Sequence, residues 1–459
     1  MKRIDNFTEG KIFSPLIRFA LPVLLALFLQ AMYGAVDLLI VGQFGGDNAD
    51  VYVSAVSTGS MIMSTLTFVV TGLAMGLTVY VGEKIGAKER EEAGRIVGSG
   101  IFFLGVLALA LTAVMLIAAP LFAKLMQAPE EAFDETVAYV MICSSGMVFI
   151  VAYNLVGSIF RGIGDSKVPL FTVAMACVMN ILCDLLLVAV FDMGAAGAAI
   201  ATVFAQASSV AFSILILKKR ELPFKLSKND IRPNASHIKK ICRLGVPIAL
   251  QDLLVSISFL VIIALVNNIG LTESAGIGVA EKVAAFIMLV PSAFMQSMSA
   301  FVAQNYGAGR LDRARKALWY GILSSLSVGV LMSYFTFFHG NLLAGIFAKD
   351  APIIALAADY LKAYAIDCIF VSFLFSFMGY FNGCGNTTFV MAQGIIGGIG
   401  IRLPLSWMFS RVEPVSLFRI GLATPSSTVL QILLCTAFYI YLIKKEKDDC
   451  QYNNSRGRK

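Results

Sequence analysis

The sequence predicts an all-α membrane protein whose twelve transmembrane helices form two six-helix bundles related by an internal repeat. Three observations carry this: the composition, the recurrence of long apolar runs, and local patterns that return at a nearly constant offset. Of 459 residues, 58% are hydrophobic and 14% charged, against about 25% charged in soluble proteins. Mean hydropathy is +0.81. No water-facing surface absorbs so many apolar side chains, so lipid is the solvent. The same composition excludes disorder, and eight scattered cysteines without a CxxC pair exclude a disulfide scaffold or a cysteine metal site. The net charge of +7 fits a membrane protein with basic cytoplasmic loops, and nucleic acid is not an expected partner.

A helix crosses the bilayer with about 20 apolar residues. Such runs fall at about 16 to 41, 51 to 81, 96 to 119, 136 to 160, 168 to 191 and 194 to 217, then at 243 to 268, 276 to 304, 316 to 348, 353 to 381, 386 to 409 and 418 to 444. The basic start followed by an apolar stretch has the outline of a signal peptide. It reads as a retained first span, because the run continues past any cleavage site and carries Asp37.

Lys and Arg near span ends stay cytoplasmic. With twelve spans, 29 of them lie on the side of the termini and only Lys124, Lys349, Arg411 and Arg419 on the other. Lys282, Lys362 and Arg402 fall within spans. The expected location is the cytoplasmic membrane, with both termini cytoplasmic.

The repeat has an offset of about 221 to 225 residues, too long for a solenoid. Leu21-Pro22-Val23 returns as Val246-Pro247-Ile248, Gly86-Ala87 as Gly307-Ala308, and Gly162-Ile163-Gly164 as Gly383-Cys384-Gly385. The implied organisation is an N-terminal lobe over residues 1–217, a cytoplasmic linker over 218–242, a C-terminal lobe over 243–444 and a tail over 445–459. Paired six-span halves are a transporter plan, with the substrate bound between them.

An ionised Asp at the bilayer centre costs about 2.5 to 3.5 kcal/mol on the insertion scale, so each intramembrane carboxylate calls for a partner, a proton or a function. Asn180 and Asp184 are four apart and share a helix face. With Asp37 and Thr202 they compose a compact oxygen cage, suited to a hard cation such as Na+ or to a proton on a buried carboxyl. The competing reading is that Asn180 and Thr202 only cross-link neighbouring helices. The repeat discriminates, since architectural residues should recur in both halves. Asp184 maps onto Leu405, Asn180 onto Ile401 and Asp37 onto Ile262, while Asp367 maps onto Gly146 and Asp252 onto Leu27. The first half is therefore expected to bind the driving ion and the second to help bind cationic substrate, with Asp367, Asp252, Glu281 and Asn154 as candidate contacts. For Glu281 the plainer expectation is an ion pair with Lys282 or Lys362.

Pro22 and Pro247 each free a helix carbonyl and are the candidate hinges, and Pro291 is a further kink. The glycine turns at 161–165 and 382–386 complete no nucleotide motif and read as tight turns. Gly72 with Gly76, and Gly394 with Gly398, have the spacing of close helix packing. The 19 Met and 34 Phe suit a pliable aromatic cavity, though most are expected to face lipid or other helices.

Taken in order, Leu21-Pro22, Val36-Asp37, Val41-Gly42, Arg161-Gly162-Ile163-Gly164-Asp165, Asn180 with Asp184, Gly197-Ala198-Ala199-Ile200-Ala201-Thr202 and Gln304-Asn305-Tyr306-Gly307-Ala308-Gly309 resemble the multidrug and toxic compound extrusion (MATE) family. The resemblance covers essentially the whole chain. It implies a V-shaped pair of bundles that alternate between outward and inward openings, and cation-coupled export. The family's first-half ion site carries over to Asp37, Asn180, Asp184 and Thr202, and Asp367 resembles the acidic position some members use in the tenth span. Some relatives place an acid farther along the seventh span, where this chain has Asp252 near the inner end instead.

The leading functional expectation is an antiporter that expels cationic or amphipathic organic compounds in exchange for H+ or Na+, with no cofactor beyond that ion and no obligate protein partner. A lipid-linked sugar flippase is the alternative, but it should line its cavity with Arg and Lys to hold pyrophosphate, and the spans offer only three such residues. An enzyme is not expected: the only histidines, His237 and His339, are too far apart in sequence for HExxH chemistry and read as ordinary loop histidines. A passive channel would not move its solute uphill.

Overall fold

A backbone in hydrocarbon must satisfy its own N–H and C=O groups, and this chain does so with helices. The computed structural model describes residues 7–220 and 222–456, and no strand occurs among them. The helices are α1 Phe13–Phe44, α2 Ala49–Gly86, α3 Arg90–Leu125, α4 Phe133–Ser145, α5 Met147–Gly162, α6 Lys167–Asp184 and α7 Gly194–Lys219. They continue as α8 Ala235–Asn267, α9 Leu271–Ile287, α10 Leu289–Gly307, α11 Leu311–Phe338, α12 Gly340–Ala344, α13 Ala351–Gly383, α14 Thr387–Ile395, α15 Leu403–Phe409, α16 Leu417–Gly421 and α17 Ala423–Arg456. Among the described residues, 11 helical stretches are long and apolar enough to cross a membrane, and α4 with α5, bent by 52°, makes up to 12. The bend falls at Gly146, where a Cβ would stand 2.5 Å from a methyl of Val203. This is an all-α, multi-pass membrane protein.

Helices overrun the apolar runs where charged residues extend them. α8 begins at Ala235 rather than near 243, because its polar first turns are held by Lys240, 2.9 Å from Glu83, and by His237, whose Nδ1 lies 3.2 Å from the Tyr80 hydroxyl. His237 is thus a buried helical residue and not a loop histidine, whereas His339 does sit in the α11–α12 connection. The last helix likewise runs past Lys444 to Arg456. Lys2 and Arg3, and Arg458 and Lys459 in the tail, lie outside the described residues.

The chain divides into two compact units. The first takes in the chain to Leu253 with Ser292–Tyr320 and Gly379–Thr388; the second comprises Leu254–Pro291, Gly321–Met378 and the chain from Phe389. In the first unit α2 and α8 touch backbone to backbone. A Cβ on Gly72 would meet the Ala249 nitrogen at 2.5 Å, and one on Gly76 the Gly245 nitrogen at 2.6 Å, so this glycine pair is a helix crossing, as its spacing suggests. The Gln304 amide donates to the Gly162 carbonyl at 2.9 Å, and Arg313 donates to the carbonyls of Gly10 at 2.8 Å and Phe7 at 3.0 Å. The second unit is built around Ile262, Ile277, Tyr360, Tyr364, Leu417 and Ile420. There the expected Gly394/Gly398 crossing is not made at Gly398, whose Cβ would find its nearest atom 3.7 Å away; Gly397 is the tight position, against Gln431.

Two pairs of helix ends share one hydrogen-bond pattern at an offset of 221. After α5, Gly164 (φ +89°) donates to the Arg161 carbonyl and Asp165 to Phe160; after α13, Gly385 (φ +80°) donates to Asn382 and Asn386 to Phe381. After α2, Lys88 (φ +62°) donates to Ile85 and Glu89 to Lys84; after α10, Gly309 (φ +69°) donates to Tyr306 and Arg310 to Asn305. A left-handed residue that satisfies the last helical carbonyls is why three of these four positions are glycine.

Candidate functional site

The turn after α5 places the helices of the predicted cage. The Asp165 carboxylate accepts the N–H groups of Lys167 at 2.9 Å and Val168 at 3.3 Å, capping α6, and its second oxygen pairs with Arg220 just beyond α7. Acid at a helix start satisfies otherwise unpaired N–H groups and complements the helix dipole. One residue therefore ties the start of α6 to the end of α7.

The four predicted ion ligands converge in the first unit. Asp37 comes from α1, Asn180 and Asp184 from α6, Thr202 from α7. Asp184 and Asn180 lie beside Asp37, and the Thr202 hydroxyl donates to Asp37 Oδ2 at 3.5 Å. Asp37 is 5% exposed, Asn180 1% and Asp184 0%. Asp37 Oδ1, both oxygens of Asp184, and both Oδ1 and Nδ2 of Asn180 are buried without a hydrogen-bond partner. Buried polar atoms are nearly always satisfied, so a cluster of this kind needs an explanation. The donor set is two carboxylates, an amide and a hydroxyl, all oxygen, which is the chemistry of a hard cation or a shared proton. Among the described residues no three His, Cys, Asp or Glu side chains are grouped to hold a metal ion. Directly after Asp184 the helix widens into a π turn over Leu185–Val190, a distortion common at functional sites.

The candidate substrate residues are divided between the two units. Asp367 on α13 is 2% exposed with Oδ1 unpartnered, and Thr428 lies beside it. Glu281 on α9 accepts hydrogen bonds from Tyr360 at 3.2 Å and Tyr364 at 3.1 Å. The expected Glu281 pair with Lys282 or Lys362 is not formed; two tyrosine hydroxyls serve the carboxylate, and Lys362 lies 3.6 Å from Asp359. The cation nearest in effect is Arg402, at the end of a second π turn, Ile396–Arg402. It donates to Ser258 at 3.1 Å and stacks on Phe259 at 4.3 Å. Asp252 belongs to the first unit, half-buried on α8.

Asn154 lines a narrow cleft in the first unit, bounded by α1, α5, α6 and Gln296 of α10. It accepts from Thr71 at 3.2 Å and donates to the Ile150 carbonyl at 2.9 Å. Pro22 sits inside α1 next to Val23 of the same cleft, and Pro247 inside α8. The residue that sequence reasoning missed here is Arg161, which counts as a loop cation by position yet lines the cleft. Gly157 is the signal that could have found it, as the small residue one turn earlier on the same face.

Long apolar helices in this number define a multi-pass membrane protein, and its kind follows from its family. The MatE family profile matches residues 22–186 and 247–408, and the chain belongs to that family, the multidrug and toxic compound extrusion transporters. It is 24% identical over 436 residues to the probable multidrug resistance protein YoeA of Bacillus subtilis, covering 94% of each chain. It is 25% identical over 411 residues to the probable multidrug resistance protein YpnP of the same organism, covering 89% of this chain and 91% of the relative. A crystal structure of MATE in complex with MaL6 superimposes with a TM-score of 0.91 at 18% identity, over 98% of this chain and 100% of that one. That likeness concerns the fold. The family places the chain among transporters rather than enzymes.

Proposed function

We propose that the protein is an antiporter that exports cationic or amphipathic organic compounds by alternating access, driven by H+ or Na+ bound at Asp37, Asn180, Asp184 and Thr202. The observation that carries this is the set of buried, unpartnered oxygens and amide nitrogen in the cage. A bound Na+ would give the unpartnered oxygens of Asp37, Asp184 and Asn180 a common partner, and a proton shared between Asp37 and Asp184 would bridge one oxygen of each; either lowers the repulsion between the two carboxylates. The emptied cage is then the higher-energy state, and its filling is coupled to a rearrangement of α1, where Pro22 leaves a carbonyl without its helical donor. The names of the B. subtilis relatives support drugs as cargo.

The two separate profile matches and the matching turns at an offset of 221 support two homologous six-span halves, with lobes at 1–217 and 243–444 joined by the basic linker. The 29 cytoplasmic-side cations against four support cytoplasmic termini. In that frame Asp367, Glu281, Asp252 and Asn154 are the substrate contacts and Pro22 and Pro247 the hinges.

The energetics suffice: one charge crossing 100 mV releases about 2.3 kcal/mol, somewhat under two decades of accumulation for a neutral cargo. For a monovalent cation exchanged one for one, the voltage cancels and the ion gradient alone drives export. The test is efflux of a fluorescent organic cation from loaded vesicles with H+ and Na+ gradients imposed separately. Uphill movement under one gradient names the ion. Absence of efflux under both sinks the reading and makes lipid-linked sugars the next cargo to test.

A further inference from the structure

Arg161 closes α5, where a basic side chain is usually explained by the helix dipole and the last free carbonyls. Its geometry is different. Helical side chains lean back toward the N-terminus, and the guanidinium lies over Gly157, one turn earlier: a Cβ there would stand 3.3 Å from one terminal nitrogen and 3.8 Å from Cζ. The glycine leaves the space that the guanidinium fills, and the guanidinium lines the cleft bounded by α1, α5, α6 and α10.

Nothing among the described residues neutralises it. Arg161 makes no side-chain hydrogen bond or ion pair among the described residues, and its Nε is buried without a partner. The nearest acid in sequence, Asp165, is occupied by Arg220 and two backbone N–H groups. The cleft holds no carboxylate: its polar side chains besides Arg161 are the neutral Gln30, Tyr153, Asn154, Thr172 and Gln296, and its apolar wall is Val23, Ala26, Leu27, Pro169 and Val173. A simple ammonium would find a like charge beside Arg161, so a cationic cargo suits Asn154 in this cleft when it also carries an anion, and a purely apolar compound would leave the guanidinium unpaired.

The geometry points to Arg161 as the receptor for a carboxylate or phosphate group on an amphipathic ligand whose apolar body lies along α1. A guanidinium fork matches either oxyanion with two parallel hydrogen bonds, and one wall of each polarity accommodates both ends of such a molecule. Cargo then includes zwitterions, an extension that rests on the export reading, although the binding itself does not.

The test is fluorescence polarisation with the purified full chain in uncharged detergent, using rhodamine B, which has a free carboxylate, and its ethyl ester. The parent protein is expected to bind the acid at least about tenfold more tightly than the ester, as one added charge-assisted hydrogen bond requires. Arg161→Gln should bind both with the parent's ester affinity, which also shows that it is folded, and Arg161→Lys should retain most of the preference. If Arg161→Gln does not fold, Gly157→Leu, which displaces the guanidinium and keeps the charge, should lose the preference. Equal binding of acid and ester by the parent, or an undiminished preference in Arg161→Gln or Gly157→Leu, overturns the proposal. Displacement of the acid by dioctanoyl phosphatidylglycerol, with none by the phosphatidylcholine, supports it with membrane lipid as the source of the anion. Failure of both to displace a preferred acid supports it with exported compounds as the source. A failed gradient-driven efflux would strike the export reading and leave this binding result standing.

Discussion

The Thr202 hydroxyl donates to one oxygen of Asp37 at 3.5 Å, while the other oxygen of the same carboxylate is buried with no partner. Thr202 therefore orients Asp37 without satisfying it, and the free oxygen is what an ion or proton would take. Thr202→Val is nearly isosteric and removes this one hydrogen bond, worth about 1.5 kcal/mol, the low end for a charged acceptor, because it is long. The half-saturating concentration of the driving ion should rise about tenfold with export otherwise intact, measured as ion dependence of efflux.

Asn180 separates an ion site from a structural cross-link. Its side-chain oxygen and nitrogen are both buried and unpartnered, so with nothing bound the amide contributes no hydrogen bond to the fold. Asn180→Leu should melt at the same temperature as the parent, or higher, when the driving ion is absent. It should also lose the stabilisation that saturating ion confers on the parent, about 2.7 kcal/mol at a hundredfold excess over Kd. A structural amide would behave oppositely, with a fall in melting temperature that no ion concentration alters.

The two GxxxG spacings should respond differently to an added side chain. Gly76→Val drives a methyl into the α8 backbone at Gly245 and should lower stability by roughly 1 to 3 kcal/mol or more. Gly398→Ala places its methyl 3.7 Å from the Ser258 hydroxyl, an ordinary contact, and should leave the melting temperature nearly unchanged. Detergent-solubilised thermal melts of both variants check this.

Asp165 should matter through the helices it positions. Asp165→Ala removes the α6 cap, about 1 kcal/mol, and leaves Arg220 unpaired. Asp165→Asn keeps an acceptor for the two N–H groups and loses only the charge. The expected order of stability is parent, Asn, Ala, and the same order in ion affinity, since α6 carries Asn180 and Asp184.

In the second unit, Glu281 should act on charged cargo alone. Glu281→Gln keeps an acceptor for Tyr360 and Tyr364 and removes the negative charge. The half-saturating concentration of a cationic dye should rise several-fold while that of a neutral amphipath stays constant, read from efflux kinetics of the two side by side.

Much of this was legible from residues alone, for physical reasons. Bilayer thickness sets the length of an apolar run, so the spans and the α4–α5 segment could be located. Charges in lipid are expensive, so Asp37 and Asp184 stood out, and the i, i+4 spacing put Asn180 with Asp184. Hydropathy does not register what polar residues do at span ends. That is why the first turns of α8 and the burial of His237 are not visible in it, and why Arg161 passes for one of the cytoplasmic-side cations although its side chain turns back over Gly157. The partner of Glu281 was misjudged because proximity in sequence favoured Lys282, whereas helix packing brings Tyr360 and Tyr364 from α13. Nor can spacing tell which glycine of a run makes the contact, and Gly397 rather than Gly398 does so because the π turn rotates the register there.

The most direct test of the account is uphill efflux of a fluorescent organic cation from vesicles with imposed H+ or Na+ gradients, comparing the parent with Asp37→Asn. The account predicts gradient-driven accumulation in the parent and its loss in the variant, with downhill equilibration of the dye preserved. Undiminished uphill efflux in Asp37→Asn would contradict it and remove the buried cage from the coupling mechanism.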